Sequence, residues 1–488
     1  SETVAYQNAN LSVGATDRFM RAVENDEEWQ TIPVHNKELA NKMPKYKARD
    51  LMRWIAEGAW ECGDPGMQYV TTMNLWHTAK KSGKINASNP CSEYMFLDDT
   101  SCNLASLNLR KFNSEDANFD IESYEKAIET TSIAMDLNYE FSGFPTKVIA
   151  QNSYDNRTLG LGYANLGALL MAEGLAYDSD KARTVAAAIT ALTAAKVYEV
   201  STVIAEKFGV FKNFEANKEP MMEVMNMHRK AVDNINTQEL PEKFLPVYER
   251  AKELWDRVIE RGKVYGFRNA QGTVLAPTGT IGFMMDCDTM GMEPELGLIK
   301  TKNLSEGGTL KIVNQTVPVA LKKLGYTTAE RAEITRYLFE HETIEGAPHL
   351  KEEHLSVFDC SFKPVKGKRS IAWQGHVKMM AALQPYISGA ISKTVNMPEE
   401  STSEDIEGAY MMAWKSGLKA LAIYRDGSKV RQALETGTKK GLEKKVSPDP
   451  AQRVKLPNER LSITHKFTIA NQDAYATIGN YPDGKPGE

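Results

Sequence analysis

Cysteine is scarce in this chain: five residues in 488, at positions 62, 91, 102, 287 and 360. None forms a C-x-x-C pair and none sits with histidine at zinc-ligand spacing. A disulfide scaffold is therefore excluded, no structural metal is expected, and a reducing cytoplasm is the expected compartment. Charge of one sign is also lacking. The 59 Lys and Arg nearly balance the 64 Asp and Glu, leaving a formal charge of -5. That gives no basic surface for non-specific nucleic-acid binding, although a small phosphate ligand needs only a local site. No apolar run approaches the ~20 residues of a membrane span, and the N-terminus lacks the charged and apolar regions of a signal peptide. There is no internal repeat. What is present is 42% hydrophobic and 25% charged, a globular balance in a chain long enough for two or three domains or one large α/β barrel.

Helical patterns alternate with short β-rich runs. "TDRFMRAVEND" opens with a Thr/Asp cap and puts Phe19, Met20 and Val23 on one face. "YKARDLMRWIAEGAW", "LPVYERAKELWDRVIERG" and "GHVKMMAALQPY" are further helices. A long Ala-rich helix, "DKARTVAAAITALTAAKVYEVSTVIAEKFG", stops at Gly209 as a glycine cap would. The strands expected are "MQYVTT", "RTLGLG", "TVLAPT", "LGLIKT", "AISKTV" and "KALAIY". Strands separated by helices imply βαβ units and a largely parallel, buried sheet. Past Asp426 the pattern fades into a polar, basic, Pro-containing stretch that reads as a linker. Beyond it "HKFTIANQDAYATIGNYPDG" alternates like a hairpin, too short to bury its own core.

Chemistry concentrates in "SNPCSEYMFLDDTSCNLASLNL". Pro90, with Gly83, Asn86 and Ser88 nearby, favours a tight loop over a helix. Such a loop can project the Cys91 thiol between Asn89 and Glu93. The bland alternative makes Cys91 and Cys102 small buried hydrophobes, but polar side chains this close are costly inside a plain core. Around a polar ligand they make sense: an amide holds one hydroxyl and a carboxylate takes the proton from another. A second candidate is Pro277, Thr278, Gly279, Thr280 and Ile281. They follow an expected strand and would open a helix or turn, where backbone N–H groups and two hydroxyls cradle phosphate; a plain capped turn is the competing reading. "RTLGLGYANLGALLM" places Gly160, Gly162 and Gly167 off the dinucleotide spacing, so close strand–helix packing is expected instead. Cys287, Cys360 and His376 read as buried core residues.

The cysteine segment resembles the finger loop of ribonucleotide reductases, particularly the adenosylcobalamin-dependent class II enzymes. The resemblance extends through "PTGTI", "GMEP", "GDPGMQYVTTMNLWHT", "HVKMMAALQPYISGAISKTVNMP" and "GLKALAIYRDG", almost end to end. It implies a ten-stranded α/β barrel with a central finger loop, this chain supplying most of the strands. By the same resemblance Cys91 becomes a thiyl radical and abstracts the ribose 3′-hydrogen. Asn89 and Glu93 hold the 2′- and 3′-hydroxyls, and Cys102 is one of a redox pair reducing the 2′-carbon. Pro277 to Ile281 would bind the substrate phosphates. The chain has no adjacent tyrosines, which a tyrosyl-radical enzyme of this family uses, so adenosylcobalamin is the implied cofactor, with no protein-bound metal site. The implied activity is reduction of ribonucleotides to deoxyribonucleotides. A non-catalytic nucleotide-binding subunit of a split reductase is the alternative.

The resemblance also sets expectations about organisation. Residues 1–434 would be the catalytic barrel, 435–458 a linker, and 459–488 the start of a small β-rich domain. The partner of Cys102 and the first barrel strands have no counterpart after Ser1, and Cys62 is wrongly placed to substitute. A piece of a longer or split enzyme, assembled for instance by intein splicing, is expected. Implied partners are a ribonucleoside di- or triphosphate, a dNTP or ATP effector near "YQNANLSVGATD", a complementary N-terminal portion and a thioredoxin-like reductant. A homodimer is allowed, and no membrane is expected.

Overall fold

The computed structural model describes residues 9–33, 37–114, 118–303, 309–364, 366–428, 459–469 and 472–481. It divides into two compact units, Ser1–Gly437 and Thr438–Glu488. In the second, strands Ser462–Ile469 and Gln472–Gly479 pair antiparallel as the hairpin pattern predicts. The linker expected over 435–458 lies outside the described residues.

The first unit is α/β. Strand Ser12–Ala15 pairs parallel with Gly66–Tyr69, which pairs antiparallel with Ala420–Arg425. That strand runs parallel to Thr394–Met397. Bridges from Ile391 to Leu275 and from Thr273 to Leu161 continue the pairing to Leu159–Ala164, which lies parallel to Asn103–Asn108. Seven segments thus form an open series, two running one way and five the other. Among the described residues its ends do not meet. The expected parallel, buried character holds: all six residues of Leu159–Ala164 are buried.

Local sequence explains most elements. Thr16 caps helix Asp17–Glu24 by accepting from the Phe19 N–H at 3.3 Å, and Phe19, Met20, Ala22 and Val23 face inward. The long helix Asp180–Phe208 starts at a Ser179 cap and stops at Gly209, where φ is +83°. It is long and apolar enough to cross a membrane, contrary to the sequence expectation, but 89% of its apolar window is buried inside the protein. A helix apolar all round is a core helix when other elements cover it. Here Leu192, Val197 and Ile189 share one core with Leu254, Trp255 and Val258 of helix Leu245–Tyr265. Each such fully buried side chain stabilises the fold by about 1.5–3 kcal/mol.

Three expectations shift. "MQYVTT" is a strand only to Tyr69, and Val70–Leu75 is helical. The β-branched residues favour extension locally, but the neighbouring strand ends at Ala15 because Thr16 caps a helix, so no partner remains. "TVLAPT" makes only isolated bridges at Thr273 and Leu275, since Pro277 has no N–H to extend the ladder. The glycines of "RTLGLGYANLG" serve backbone approach rather than strand–helix packing. A Cβ at Gly162 would collide with the Val274 carbonyl, and one at Gly167 with the Glu293 carbonyl.

Candidate active site

Asn89 to Glu93 lie in an irregular loop with a turn at Pro90–Ser92, as the sequence predicts. Ser92 sits at φ +66°. The loop closes on itself through Asn89: its N–H donates to the Tyr94 carbonyl at 3.2 Å, and its Oδ1 accepts from the Tyr94 N–H at 2.9 Å. With Oδ1 engaged, Nδ2 is the atom of Asn89 that can donate to a ligand hydroxyl. Gln68, on strand Gly66–Tyr69, ties the loop to the sheet by donating to Ser88 Oγ at 2.6 Å and Ser92 Oγ at 3.3 Å. On the other side the Ala390 N–H donates to the Glu93 carbonyl at 2.8 Å.

Glu93 is buried, 3% exposed, and its Oε2 has no hydrogen-bond partner. A buried carboxylate oxygen without a partner is costly unless a ligand supplies one. Cys91 is exposed, whereas a finger loop at the centre of a closed barrel would shield it from water. The surrounding loop still desolvates it, and burial followed by the Glu93 charge pushes its pKa up. Cys102 is half-buried at the entry to strand Asn103–Asn108, and burial followed by the same Glu93 charge pushes it up to about 12. Burial, reinforced by the Glu93 charge, therefore keeps both thiols protonated. A protonated thiol is a poor nucleophile but holds the hydrogen that atom transfer requires.

The second candidate cluster hangs from the same strands. The Leu275 N–H donates to the Ala390 carbonyl at 3.1 Å, and two residues later the chain turns through Pro277 into helix Gly279–Met284. Thr278 is buried in a left-handed conformation, φ +51°. Its Oγ1 accepts from the Gly291 N–H at 2.6 Å, so this hydroxyl holds the turn rather than capping the helix. Thr280 and Ile281 are exposed, and Pro277 and Gly279 are half-buried. The first N–H groups of the helix are left for an external acceptor, as at any helix start.

Sequence reasoning missed the supports. Lys419 is fully buried and donates to the carbonyls of Ile387, Ser388 and Gly389 at 3.3, 2.9 and 2.5 Å, fixing the segment that receives Glu93. Burial lowers its pKa to about 7. Ser388 Oγ accepts from the N–H groups of Gly272 and Thr273 at 3.1 and 2.9 Å. Gln68, Ser388 and Lys419 are far from the cysteine motif in sequence, and no local pattern marks them. Cys360 and His376 are buried as expected, whereas Cys287 is half-exposed, because Asp286 and Asp288 flank it. A cavity of about 50 Å³ lined by Leu298, Leu338, Phe358 and Cys360 belongs to a second core cluster, not to this site. Among the described residues no His, Cys, Asp and Glu group could hold a metal ion, and no cysteine is in a disulfide.

Comparison with known proteins places the chain in one family. The family described as "Ribonucleotide reductase, barrel domain" matches residues 1–424. A vitamin B12-dependent ribonucleotide reductase of Rhodopirellula baltica is 52% identical across the whole chain, which covers 47% of that protein. One of Streptomyces clavuligerus is 46% identical across the whole chain, covering 52% of it. A vitamin B12-dependent ribonucleoside-diphosphate reductase of Thermoplasma acidophilum is 27% identical over 96% of the chain and 54% of its own length. The chain spans about half the length of the curated relatives it matches.

Proposed function

From the premise that this chain belongs to the ribonucleotide reductase barrel-domain family, we propose that it carries the catalytic loop of an adenosylcobalamin-dependent reductase converting ribonucleotides to 2′-deoxyribonucleotides. The observation that carries the proposal is the buried, unpartnered Glu93 Oε2 beside an exposed, protonated Cys91 and the Asn89 amide. Binding alone would not need the thiol.

In this reading a ribonucleoside di- or triphosphate sets its phosphates against Pro277, Thr278, Gly279, Thr280 and Ile281. Asn89 Nδ2 donates to the 2′-hydroxyl, and Glu93 Oε2 accepts from the 3′-hydroxyl. The Cys91 sulfur, as a radical, takes the 3′-hydrogen atom and becomes S–H. Glu93 takes the 3′-hydroxyl proton, the 2′-hydroxyl leaves as water, and Cys102 with a second thiol supplies two electrons as the pair becomes a disulfide. Cys91 then returns the hydrogen atom to the 3′-carbon. The net change is one ribonucleotide and two thiols to one deoxyribonucleotide, one disulfide and water.

Adenosylcobalamin, when bound, supplies a one-electron oxidant by homolysis of its cobalt–carbon bond. The residues present fit that role: Cys91 offers an exposed S–H to an oxidant arriving from outside the chain. Cys62 donates to the Gly58 and Asp64 carbonyls and Cys360 sits in the second core cluster, so neither is placed as the partner of Cys102. We assign that thiol to a complementary N-terminal segment or chain, which would also complete the ten-stranded barrel around the finger loop. Residues 1–434 act as the barrel, 435–458 as a linker and 459–488 as part of a C-terminal β-rich domain. A thioredoxin-like reductant, a dNTP or ATP effector, a homodimer and a cytoplasmic setting complete the proposal.

The test is turnover by the native full-length protein with adenosylcobalamin, a dithiol and a ribonucleotide, with the deoxynucleotide measured by chromatography. Product in wild type and none in Cys91→Ser supports the assignment. Equal product from both overturns it.

A further inference from the structure

The two cysteine-bearing segments, the loop through Cys91 and the strand entry at Cys102, are joined by a series of buried hydroxyls outside the reaction just described. The series begins at Asn89, whose backbone and side chain both bond Tyr94. The Tyr94 ring is buried, and its hydroxyl lies 2.9 Å from Thr158 Oγ1 and 3.0 Å from Thr100 Oγ1. Thr158 Oγ1 in turn lies 3.2 Å from the Ser101 carbonyl, one residue before Cys102.

Thr158 donates to the Ser101 carbonyl, Thr100 donates to the Leu97 carbonyl at 2.5 Å, and the one Tyr94 proton is shared between Thr100 and Thr158. Thr158 is itself fixed from behind, where the Tyr139 hydroxyl donates to its carbonyl at 2.5 Å. It is 0% exposed, so no water replaces a lost hydroxyl without a cavity opening. A largely buried hydrogen-bond network of this kind rigidifies the elements it joins.

We propose that Tyr94 and Thr158 are positioning residues that fix Cys102 relative to the Cys91–Glu93 loop, so that hydrogen abstraction and 2′-reduction occur within one geometry. The proposal rests on the function assigned above for its catalytic consequence, but not for its structural one. Neither residue touches substrate. Removing the Tyr94 or Thr158 hydroxyl breaks the series at its middle while leaving both cysteines, Asn89 and Glu93 in place. The strand entry at Ser101–Cys102 then loses its tie to the loop. Cys102 becomes more accessible, while Cys91, held by Gln68 and Ala390 on the far side, does not.

Two measurements on the native full-length protein test this. In the first, iodoacetamide labelling of Cys91 and Cys102 is followed peptide by peptide in Tyr94→Phe and Thr158→Val, without substrate or cofactor. The Cys102 rate should rise about fivefold or more with Cys91 changed less than about twofold. Thr158→Ser, which keeps the hydroxyl, should label at the wild-type rate. An unchanged Cys102 rate, or equal rises at both cysteines, overturns the proposal. In the second, release of tritium from a 3′-tritiated ribonucleotide is compared with deoxynucleotide formation. In wild type Cys91 returns the tritium to the 3′-carbon, so the label stays with the deoxynucleotide. In the variants abstraction continues while 2′-reduction stalls, so tritium lost to solvent per deoxynucleotide formed should rise about tenfold or more; an unchanged ratio overturns the catalytic consequence. Wild type forming no deoxynucleotide would instead sink the reductase reading and leave the labelling result standing.

Discussion

The Asn89–Glu93 loop and the Pro277–Ile281 turn hang from the same pair of segments, around Ala390 and Leu275, yet they are held in opposite ways. Side chains hold the loop: Gln68 bonds its serines, Asn89 bonds Tyr94, and what remains free is a thiol, an amide N–H and a carboxylate oxygen. Backbone conformation holds the turn, with Thr278 left-handed and its hydroxyl spent on Gly291, and what remains is a row of N–H groups. The functional atoms of the loop belong to side chains, whereas those of the turn belong largely to the main chain. Substitutions in the loop should therefore change chemistry, and substitutions in the turn should change shape and binding.

The sharpest way to break that contrast is Cys91→Ser. The O–H bond is too strong for a hydroxyl to relay the radical, so product formation should fall about 10⁴-fold or more at unchanged nucleotide affinity. Residual turnover near wild type, measured by product chromatography, would place the radical elsewhere. The Cys102 thiol gives the next largest effect. It titrates at about 12, so at pH 9 only about one in a thousand is thiolate. Its alkylation rate in the wild type should climb about tenfold per pH unit from 9 to 11, and a plateau already at pH 9 would show that burial and Glu93 do not act on it. The linked stability has a definite sign. Between pH 9 and about 12 the folded thiol keeps a proton that the unfolded one loses, so the fold loses stability as pH rises through that window.

Glu93→Gln should slow product formation about 10²–10³-fold with KM nearly constant, because an amide cannot accept the 3′-hydroxyl proton. A pure KM effect would make Glu93 a binding group. In the turn, Thr278→Val should cost about 1–3 kcal/mol of stability by leaving the buried Gly291 N–H without an acceptor, read as a shift in the denaturation midpoint. Thr280→Val, at an exposed position, should leave stability unchanged and raise the nucleotide KM about two- to tenfold with kcat unaltered. Should Thr280→Val lower kcat at constant KM, the turn would be part of the chemistry and the contrast would dissolve.

Much of the architecture was legible. Thr16, Ser179 and Gly209 mark helix ends because caps act within four residues. The succession of strands and helices marked "RTLGLG" and "KALAIY" as strands of a largely parallel sheet, whose covered faces bury nearly every residue. The loop at Asn89–Glu93 was legible because Pro90 and its polar neighbours disfavour any regular element. Less was legible where a segment depended on its neighbour. "VTT" reads as strand but becomes helix once the adjacent strand ends at Ala15. Gly162 and Gly167 read as strand–helix packing glycines, but what presses against them is the Val274 and Glu293 carbonyls, contacts that only the fold brings together.

The sequence by itself determined that Asn89, Cys91 and Glu93 stand together as a candidate site, because a loop of five residues brings its own side chains together whatever surrounds it. Only the tertiary structure decided how that set is held. Gln68 and Thr158 bond the cysteine segments themselves, and Ser388 and Lys419 bond the neighbouring segments around Thr273 and Gly389, each across 20 or more residues of chain. Such bonds follow from strand register and buried packing, which the whole chain fixes cooperatively and no local pattern encodes.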